Sequence, residues 1–176
     1  MTLIVNLFAG PGAGKSTMMA EVYAGLKRRG VDAEMAPEFA RELVRSGRPK
    51  ELACQPFVFG EQLRRIQRLV DDDVEVVVTD SPLLLSLAYG PGQGLLNAVE
   101  GAHHSYDNLN VFVVRGDKPY RREGRTQTYD QALVLDRQIA EIVTLARSKV
   151  LRVPSTPTGS ETVIQAALTR LKELQT

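Results

Sequence analysis

Apolar and polar positions along this chain fall into blocks that alternate between strand and helix. Nearly continuous apolar runs at Leu3–Phe8 and Val74–Thr79 predict buried strands, and Leu109–Val114 has the same character. The stretch Gln55–Val70 instead carries apolar residues at helical spacing along one side. The pattern therefore predicts an alternating arrangement of β-strands and α-helices.

The remaining blocks complete this alternation. The pattern adds helices at Ser16–Arg29, Pro37–Ser46, Thr128–Arg147 and Glu161–Leu174, and strands at Val31–Ala36 and Val150–Val153. Five short strands that alternate with helices predict an α/β domain with a five-stranded, mostly parallel sheet. Ligands of such sheets bind beyond the carboxyl ends of the strands. A turn is expected at 90–94, and a surface position for His103 and His104.

Composition places the chain among ordinary globular proteins. Its 176 residues predict a single domain, and 43% are hydrophobic and 24% charged. A formal net charge of +1 gives no sign of a nucleic-acid or membrane partner, and the single Cys54 excludes an intramolecular disulfide. No run approaches the ~20 apolar residues of a membrane span, and Leu3–Phe8 is too short for a signal core. We expect a cytoplasmic protein.

The segment between the first strand and the first helix carries the strongest chemical signal. It reads Ala9-Gly10-Pro11-Gly12-Ala13-Gly14-Lys15-Ser16-Thr17, which matches the phosphate-binding loop of ATP-using proteins except that Ala9 replaces the first glycine. Its glycines let backbone N–H groups curl around phosphate oxygens, while Lys15 reaches the β- and γ-phosphates and Ser16 joins the Mg²⁺ shell. A preceding strand and a following helix favour nucleotide binding over a ligand-free turn. The predicted contacts to ATP are Gly10, Gly12, Ala13, Gly14, Lys15, Ser16 and Thr17.

A second acidic position follows the valine-rich strand. Asp80 stands directly after Thr79, where phosphate-loop enzymes place an acid that orients Mg²⁺ or its waters. An aspartate that only caps the turn into Ser81 is the alternative. The buried strand and the upstream glycine loop favour the metal role, so Ser16 and Asp80 are the predicted metal residues.

Together these motifs resemble the nucleotide and nucleoside kinases among phosphate-loop proteins. The resemblance implies a three-layer fold with strand order 2-3-1-4-5. Within that group the chain is similar to small phage-encoded kinases, including the 5-hydroxymethyluracil DNA kinases, in the segments 6–17, 80–85 and 124–128. Those enzymes phosphorylate a base hydroxymethyl group in DNA, which implies a DNA acceptor and a host-cell cytoplasmic location.

Residues for the acceptor side follow from the same resemblance. It implies that Glu38, just after the second strand, accepts the proton of an attacking hydroxyl, a role that an anionic monophosphate acceptor does not need. A helix-start role of Glu38 after Pro37 is equally compatible with the sequence. Arg41 lies three residues later on the same helical face. Gln62 and Arg64, on the helix before the third strand, are further predicted acceptor contacts.

The segment about 115–128, after the fourth strand, is where this group of kinases places its lid. Arginines there close over ATP and neutralise the charge of the transferring phosphoryl group, and Arg121 and Arg125 are the predicted ones. An ordinary basic surface loop is the alternative.

Three functions remain open on this evidence. The first is a kinase that phosphorylates 5-hydroxymethyluracil in phage DNA, and the second is a deoxynucleoside monophosphate kinase that acts on a free nucleotide. The third is an ATPase or regulatory nucleotide-binding module in which water takes the place of the acceptor. A hexameric ATPase is not expected, because the chain leaves no room for a helical lid subdomain.

Overall fold

The computed structural model describes residues 1–90, 92–117, 119–120, 126–145 and 149–175. The strands are β1 Leu3–Phe8, β2 Ala33–Ala36, β3 Val76–Thr79, β4 Asp107–Val114 and β5 Val150–Pro154. The helices are α1 Lys15–Lys27, α2 Phe39–Arg45, α3 Pro49–Ala53, α4 Gln55–Asp71, α5 Gly92–His104, α6 Tyr129–Leu145 and α7 Pro157–Leu174, and a 3₁₀ helix spans Leu83–Tyr89.

The five strands form one sheet in the order β2-β3-β1-β4-β5, and every neighbouring pair is parallel. In the central strand, Leu3 lies opposite Val76 of β3 on one side and Asp107 of β4 on the other. The predicted α/β fold and strand order are confirmed. The carboxyl ends of β1 and β3 therefore lie next to each other at one edge, where ligands are expected.

Helices cover both faces of the sheet, which explains the continuous apolar strands. In β1, Val5 and Leu7 pack with α1 and α7, whereas Ile4 and Phe8 pack with α4, α6 and the 3₁₀ helix. Successive side chains of a strand point to opposite faces, so a strand between two helical layers is apolar on both faces. The buried Asn6 is the exception in β1, and its amide donates to Asn108 and Asn110 of β4. Among the described residues, no helix is both long and apolar enough to span a membrane.

The structure differs from the sequence prediction mainly between β3 and β4. The predicted turn at 90–94 contains the start of α5, and the apolar residues before it form the 3₁₀ helix. His103 near the end of α5 is buried, so its predicted surface position is wrong. Helix α7 also starts earlier than predicted, because Thr156 caps it by accepting a hydrogen bond from the Gly159 N–H at 3.2 Å, with Pro157 in its first turn.

Burial of His103 predicts a pH-dependent stability. Desolvation, with a smaller effect of His104, lowers the pKa of His103 from 6.5 to about 4. Below pH 6.5 the unfolded chain therefore binds a proton at this residue that the folded chain does not bind, so stability falls as the pH drops from 6.5 towards 4. We expect a loss of at most about 3 kcal/mol from this residue. In urea unfolding across that range, the free energy of unfolding of His103→Gln should depend less on pH than that of wild type, and an equal dependence would contradict this prediction. His104→Gln removes only the smaller effect on the His103 pKa, so it should keep most of the wild-type dependence.

Candidate active site

A cavity of about 380 Å³ opens beside the carboxyl ends of β1 and β3. One wall is the glycine loop and the start of α1, and the opposite wall comes from α2, α3, α4 and the 3₁₀ helix. The lining side chains that carry polar or charged groups are Lys15, Ser16, Thr17, Glu38, Arg41, Gln55, Ser81, Ser86, Tyr89, Thr126 and Gln127. The fold thus joins the predicted phosphate loop with Glu38 and Arg41, two of the predicted acceptor-side residues, in one space.

Glycine is required at two positions of the loop. Gly12 and Gly14 have φ angles of +77° and +103°, in the left-handed region that side-chain-bearing residues rarely adopt. A β-carbon on Gly12 would lie 2.7 Å from the ring of Tyr120, and one on Gly14 would overlap the Ser155 hydroxyl. Since α1 begins at Lys15, its first N–H groups and the positive end of its dipole face the cavity side of the loop.

Lys15 lies along the inside of this loop. Its Nζ donates to the carbonyl oxygens of Ala9 at 2.7 Å and Gly10 at 3.2 Å. Burial lowers the pKa of Lys15, while the carboxylates of Glu38 and Asp80 act in the opposite direction and favour the charged ammonium. The side chain is therefore held at the place where a phosphate oxygen would meet it.

Ser16, Asp80 and α2 are connected by direct hydrogen bonds. The Ser16 hydroxyl donates to Asp80 Oδ2 at 2.5 Å, and Arg41 Nη1 donates to the Ser16 hydroxyl at 3.0 Å. The other Asp80 oxygen accepts the Glu38 backbone N–H at 3.0 Å. Asp80 does not simply cap its own turn, because both of its oxygens bind groups from distant parts of the chain.

This arrangement fits the coordination chemistry of Mg²⁺. A hydroxyl and a buried carboxylate are the hard oxygen donors that Mg²⁺ prefers, and Mg²⁺ usually takes only one or two protein ligands beside phosphates and waters. The described residues contain no group of three or more His, Cys, Asp or Glu side chains that could hold a metal ion by themselves. Ser16 and Asp80 are the residues that would hold Mg²⁺.

Glu38 lies at the start of α2 and lines the cavity together with the phosphate loop. It is the N-cap residue of α2, with an extended backbone, but its side chain makes no capping hydrogen bond and instead lines the cavity. Tyr89 lies on the same cavity, where burial, followed by the Glu38 charge, raises the pKa of its hydroxyl to about 12. Although the residue is 42% exposed, its hydroxyl is protonated at physiological pH, as in an unperturbed tyrosine.

The far wall of the cavity carries apolar as well as polar side chains. Its apolar side chains come from α2, α3, α4 and the 3₁₀ helix: Ala40, Val44, Leu52, Val58 and Leu85. Gln55 supplies an amide, and its Nε2 donates to the Leu52 carbonyl at 2.9 Å. Such a wall suits a flat or apolar molecule with few polar groups.

The structure does not bring the two predicted acceptor contacts of α4 into this cavity. Gln62 is buried beneath it, where Oε1 accepts the Phe39 N–H at 3.1 Å and fixes the start of α2. Arg64 faces solvent with a 64% exposed side chain and forms two hydrogen bonds with Glu61. The neighbouring Arg65 pairs with Glu42 at 2.8 Å. Acidic side chains therefore neutralise both of these arginines.

The lid-like segment is described only in part. Arg121 and Arg125, its predicted functional residues, lie outside the described residues. Thr126 and Gln127 line the cavity, and the Tyr120 hydroxyl donates to the Gln127 carbonyl at 2.9 Å. The described ends of the segment thus reach both the loop and the cavity.

Two residues at the loop were not selected from the sequence. Asp136 of α6 accepts the Gly10 N–H at 2.6 Å, and Arg115, directly after β4, donates to the Pro11 carbonyl at 2.9 Å. The only sequence signal for Arg115 is its place after a predicted strand. Nothing in the sequence of α6 distinguishes Asp136 from a surface helix residue, because its partner lies 126 positions away.

Comparison with known proteins adds a family to this geometry. A protein-family model described as an AAA domain matches residues 4–160, which contain the glycine loop, Asp80 and Asp136. A comparison with curated proteins returns no match.

Proposed function

Since this chain belongs to the AAA domain family of phosphate-loop proteins, we propose that it uses its nucleotide as a kinase, transferring the γ-phosphoryl group of ATP to an alcohol. The observation that carries this proposal is the position of Glu38, whose carboxylate lines the same cavity as Lys15 and Ser16 of the phosphate loop. An ATPase needs no acceptor chamber beyond its loop, whereas a kinase needs an acceptor hydroxyl held between a carboxylate and the phosphates.

Each group then has a defined task. The loop N–H groups and Lys15 bind the phosphates and stabilise the charge of the transferring phosphoryl group. Mg²⁺ bound at Ser16 and Asp80 would neutralise phosphate charge. Glu38 accepts the hydrogen bond and then the proton of the acceptor hydroxyl, and its backbone N–H bond to Asp80 fixes it relative to the metal side.

The cavity also favours a neutral acceptor. Among its described lining residues, the cationic side chains are Lys15 of the loop and Arg41, which donates to Ser16 at 3.0 Å. A monophosphate acceptor calls for basic groups of its own; of the two predicted acceptor arginines, Arg41 lines the cavity, but Arg64 is bound to Glu61 outside it. An uncharged ring with an alcohol suits the apolar far wall better.

These properties support 5-hydroxymethyluracil in phage DNA as the acceptor. The base is a flat uncharged ring with a primary alcohol, so its ring suits the apolar wall and its hydroxyl suits Glu38. Gln55 and Tyr89 supply polar groups for the edge of a base. The proposal also assigns Arg121 and Arg125 to a lid over ATP. It treats residues 1–176 as a single domain. Its location is the cytoplasm of the host cell, where both ATP and phage DNA are present.

An ATPase is the second candidate, because the matching family carries the description AAA domain. A deoxynucleoside monophosphate kinase is the third, supported only by Arg41 at the cavity.

Transfer of labelled γ-phosphate separates the three functions. The protein is incubated with ATP and Mg²⁺ and with duplex DNA containing 5-hydroxymethyluracil, the same DNA with thymine, or free deoxynucleoside monophosphates. The proposal predicts label on the hydroxymethylated DNA alone. Label on the monophosphates would assign the chain to the nucleotide kinases, and label only in inorganic phosphate would make it an ATPase.

A further inference from the structure

Two charged side chains that are not part of the phosphate loop form hydrogen bonds with the backbone of Gly10 and Pro11, which we call the first limb of the loop. Asp136 Oδ1 accepts the Gly10 N–H at 2.6 Å, and Arg115 Nη2 donates to the Pro11 carbonyl at 2.9 Å. The two side chains also bind each other, since Arg115 Nε donates to Asp136 Oδ2 at 3.0 Å. The backbone of this limb and the two side chains are therefore joined in a closed ring of hydrogen bonds.

This pair is more sheltered than the other ion pairs of the described chain. The side chains of Arg115 and Asp136 are 11% and 18% exposed. Helix α6 also touches the loop itself, because a β-carbon on Gly10 would lie 2.7 Å from the Ala132 carbonyl oxygen and 2.8 Å from Asp136 Oδ1. A sheltered charged acceptor makes a stronger hydrogen bond than an exposed one, so the limb is firmly fixed.

The fixed limb in turn positions Lys15. Lys15 Nζ donates to the carbonyl oxygens of Ala9 and Gly10, which flank the peptide N–H that Asp136 holds. Displacement of Gly10 would therefore displace the ammonium group that meets the phosphates. Because the Gly10 N–H is used by Asp136 and Pro11 has no N–H, the loop N–H groups left for phosphates begin at Gly12.

We propose that Arg115 and Asp136 are positioning residues that hold the phosphate loop in its nucleotide-binding shape. They touch neither phosphate nor acceptor in this scheme, and they act through the backbone of Gly10 and Pro11. Arg115 also opens the lid-like segment 115–128, and its guanidinium lies 5.9 Å from the ring centroid of Tyr129 just beyond that segment. The pair thus connects α6 and the residue that follows β4 with the loop.

The test measures nucleotide affinity, which requires no acceptor and is therefore independent of the proposed kinase function. Calorimetric titration with ADP and Mg²⁺ is compared for wild type, Asp136→Asn, Asp136→Ala and Arg115→Gln, with an unfolding temperature for each. We expect Asp136→Ala to raise the Kd about tenfold or more. Asp136→Asn keeps an oxygen for the Gly10 N–H but loses the ion pair, so its effect should be smaller.

Two comparisons make the test specific. The Arg115→Gln/Asp136→Ala double variant should bind ADP about as weakly as Asp136→Ala alone, because the two side chains act as one unit. Asp107→Asn is the matched control: it breaks the Arg170–Asp107 pair, at 3.3 Å, which also joins a helix to β4 but lies away from the loop. If the folded variants bind ADP with the wild-type Kd and only their unfolding temperatures fall, the pair is merely structural and the proposal is wrong. If Asp136→Ala does not fold, the Kd values for ADP of Asp136→Asn and Arg115→Gln are compared with that of wild type in the same way.

Discussion

Glu38→Gln is expected to lower turnover with the alcohol acceptor about 100- to 10,000-fold while leaving the Kd for ATP nearly unchanged. The amide still fills the position of the carboxylate at the cavity, but it cannot accept the proton of the attacking hydroxyl. ATP contacts are made by the glycine loop and Lys15 on the other wall, so they should persist. Single-turnover phosphoryl transfer measures the first quantity, and calorimetric titration with a non-hydrolysable ATP analogue measures the second.

Glu42→Gln is the matched control for this experiment. Glu42 lies on the same helix α2, but its carboxylate pairs with Arg65 at 2.8 Å on the exposed side. The same chemical change there should leave turnover close to wild type. Wild-type turnover in Glu38→Gln would show that Glu38 is only a helix-start residue, and a large fall in both variants would point to damage to α2.

Lys15→Met is expected to reduce kcat/KM for ATP at least about 1,000-fold, the upper part of the range for loss of a group that stabilises transition-state charge. Methionine matches much of the length of lysine but brings no charge to the phosphates. Lys27→Met makes the same change near the end of α1, where Lys27 pairs with Asp32 and Glu34 at the surface. The Lys27→Met variant should keep nearly wild-type activity. If Lys15→Met were equally active, Lys15 would have no part in the mechanism.

The phosphate side of the site was predictable because its signals are local. The nine residues from Ala9 to Thr17 contain the whole loop, and the buried strand before Asp80 fixes the position of that acid. The structure places Ser16 and Asp80 2.5 Å apart although 64 positions separate them, because β1 and β3 are neighbours in the predicted strand order. Because adjacent parallel strands end at the same edge of the sheet, the strand order alone predicts that the residues after β1 and β3 lie close together.

The acceptor side was less predictable because it depends on which face of each helix is turned inward. Gln62 and Arg64 are two positions apart, so helical geometry forbids both from facing the same cavity. The structure buries Gln62 under α2 and leaves Arg64 in solvent with Glu61. The resemblance to kinases had implied both as acceptor contacts, whereas helical geometry places them on different faces of α4.

The region before β4 shows a second kind of limit. Glycine and proline at 90–94 favour a turn, yet α5 begins at Gly92 and its apolar residues Leu95 and Val99 are buried in the core. Tertiary packing therefore overrides the low helix propensity of glycine.

Asp136 illustrates the long-range case, since its role depends on a backbone N–H at the other end of the chain.

The most direct test of the phosphotransferase assignment compares ADP formation with acceptor phosphorylation in the same reaction. ATP, Mg²⁺ and the protein are followed with and without DNA that contains 5-hydroxymethyluracil, and ADP, inorganic phosphate and phosphorylated DNA are all quantified. A kinase predicts that the acceptor sharply accelerates ADP formation and that each ADP is matched by one phosphate on the DNA. ADP formation at an equal rate without acceptor, with all phosphate released into solution, would contradict the account and identify an ATPase.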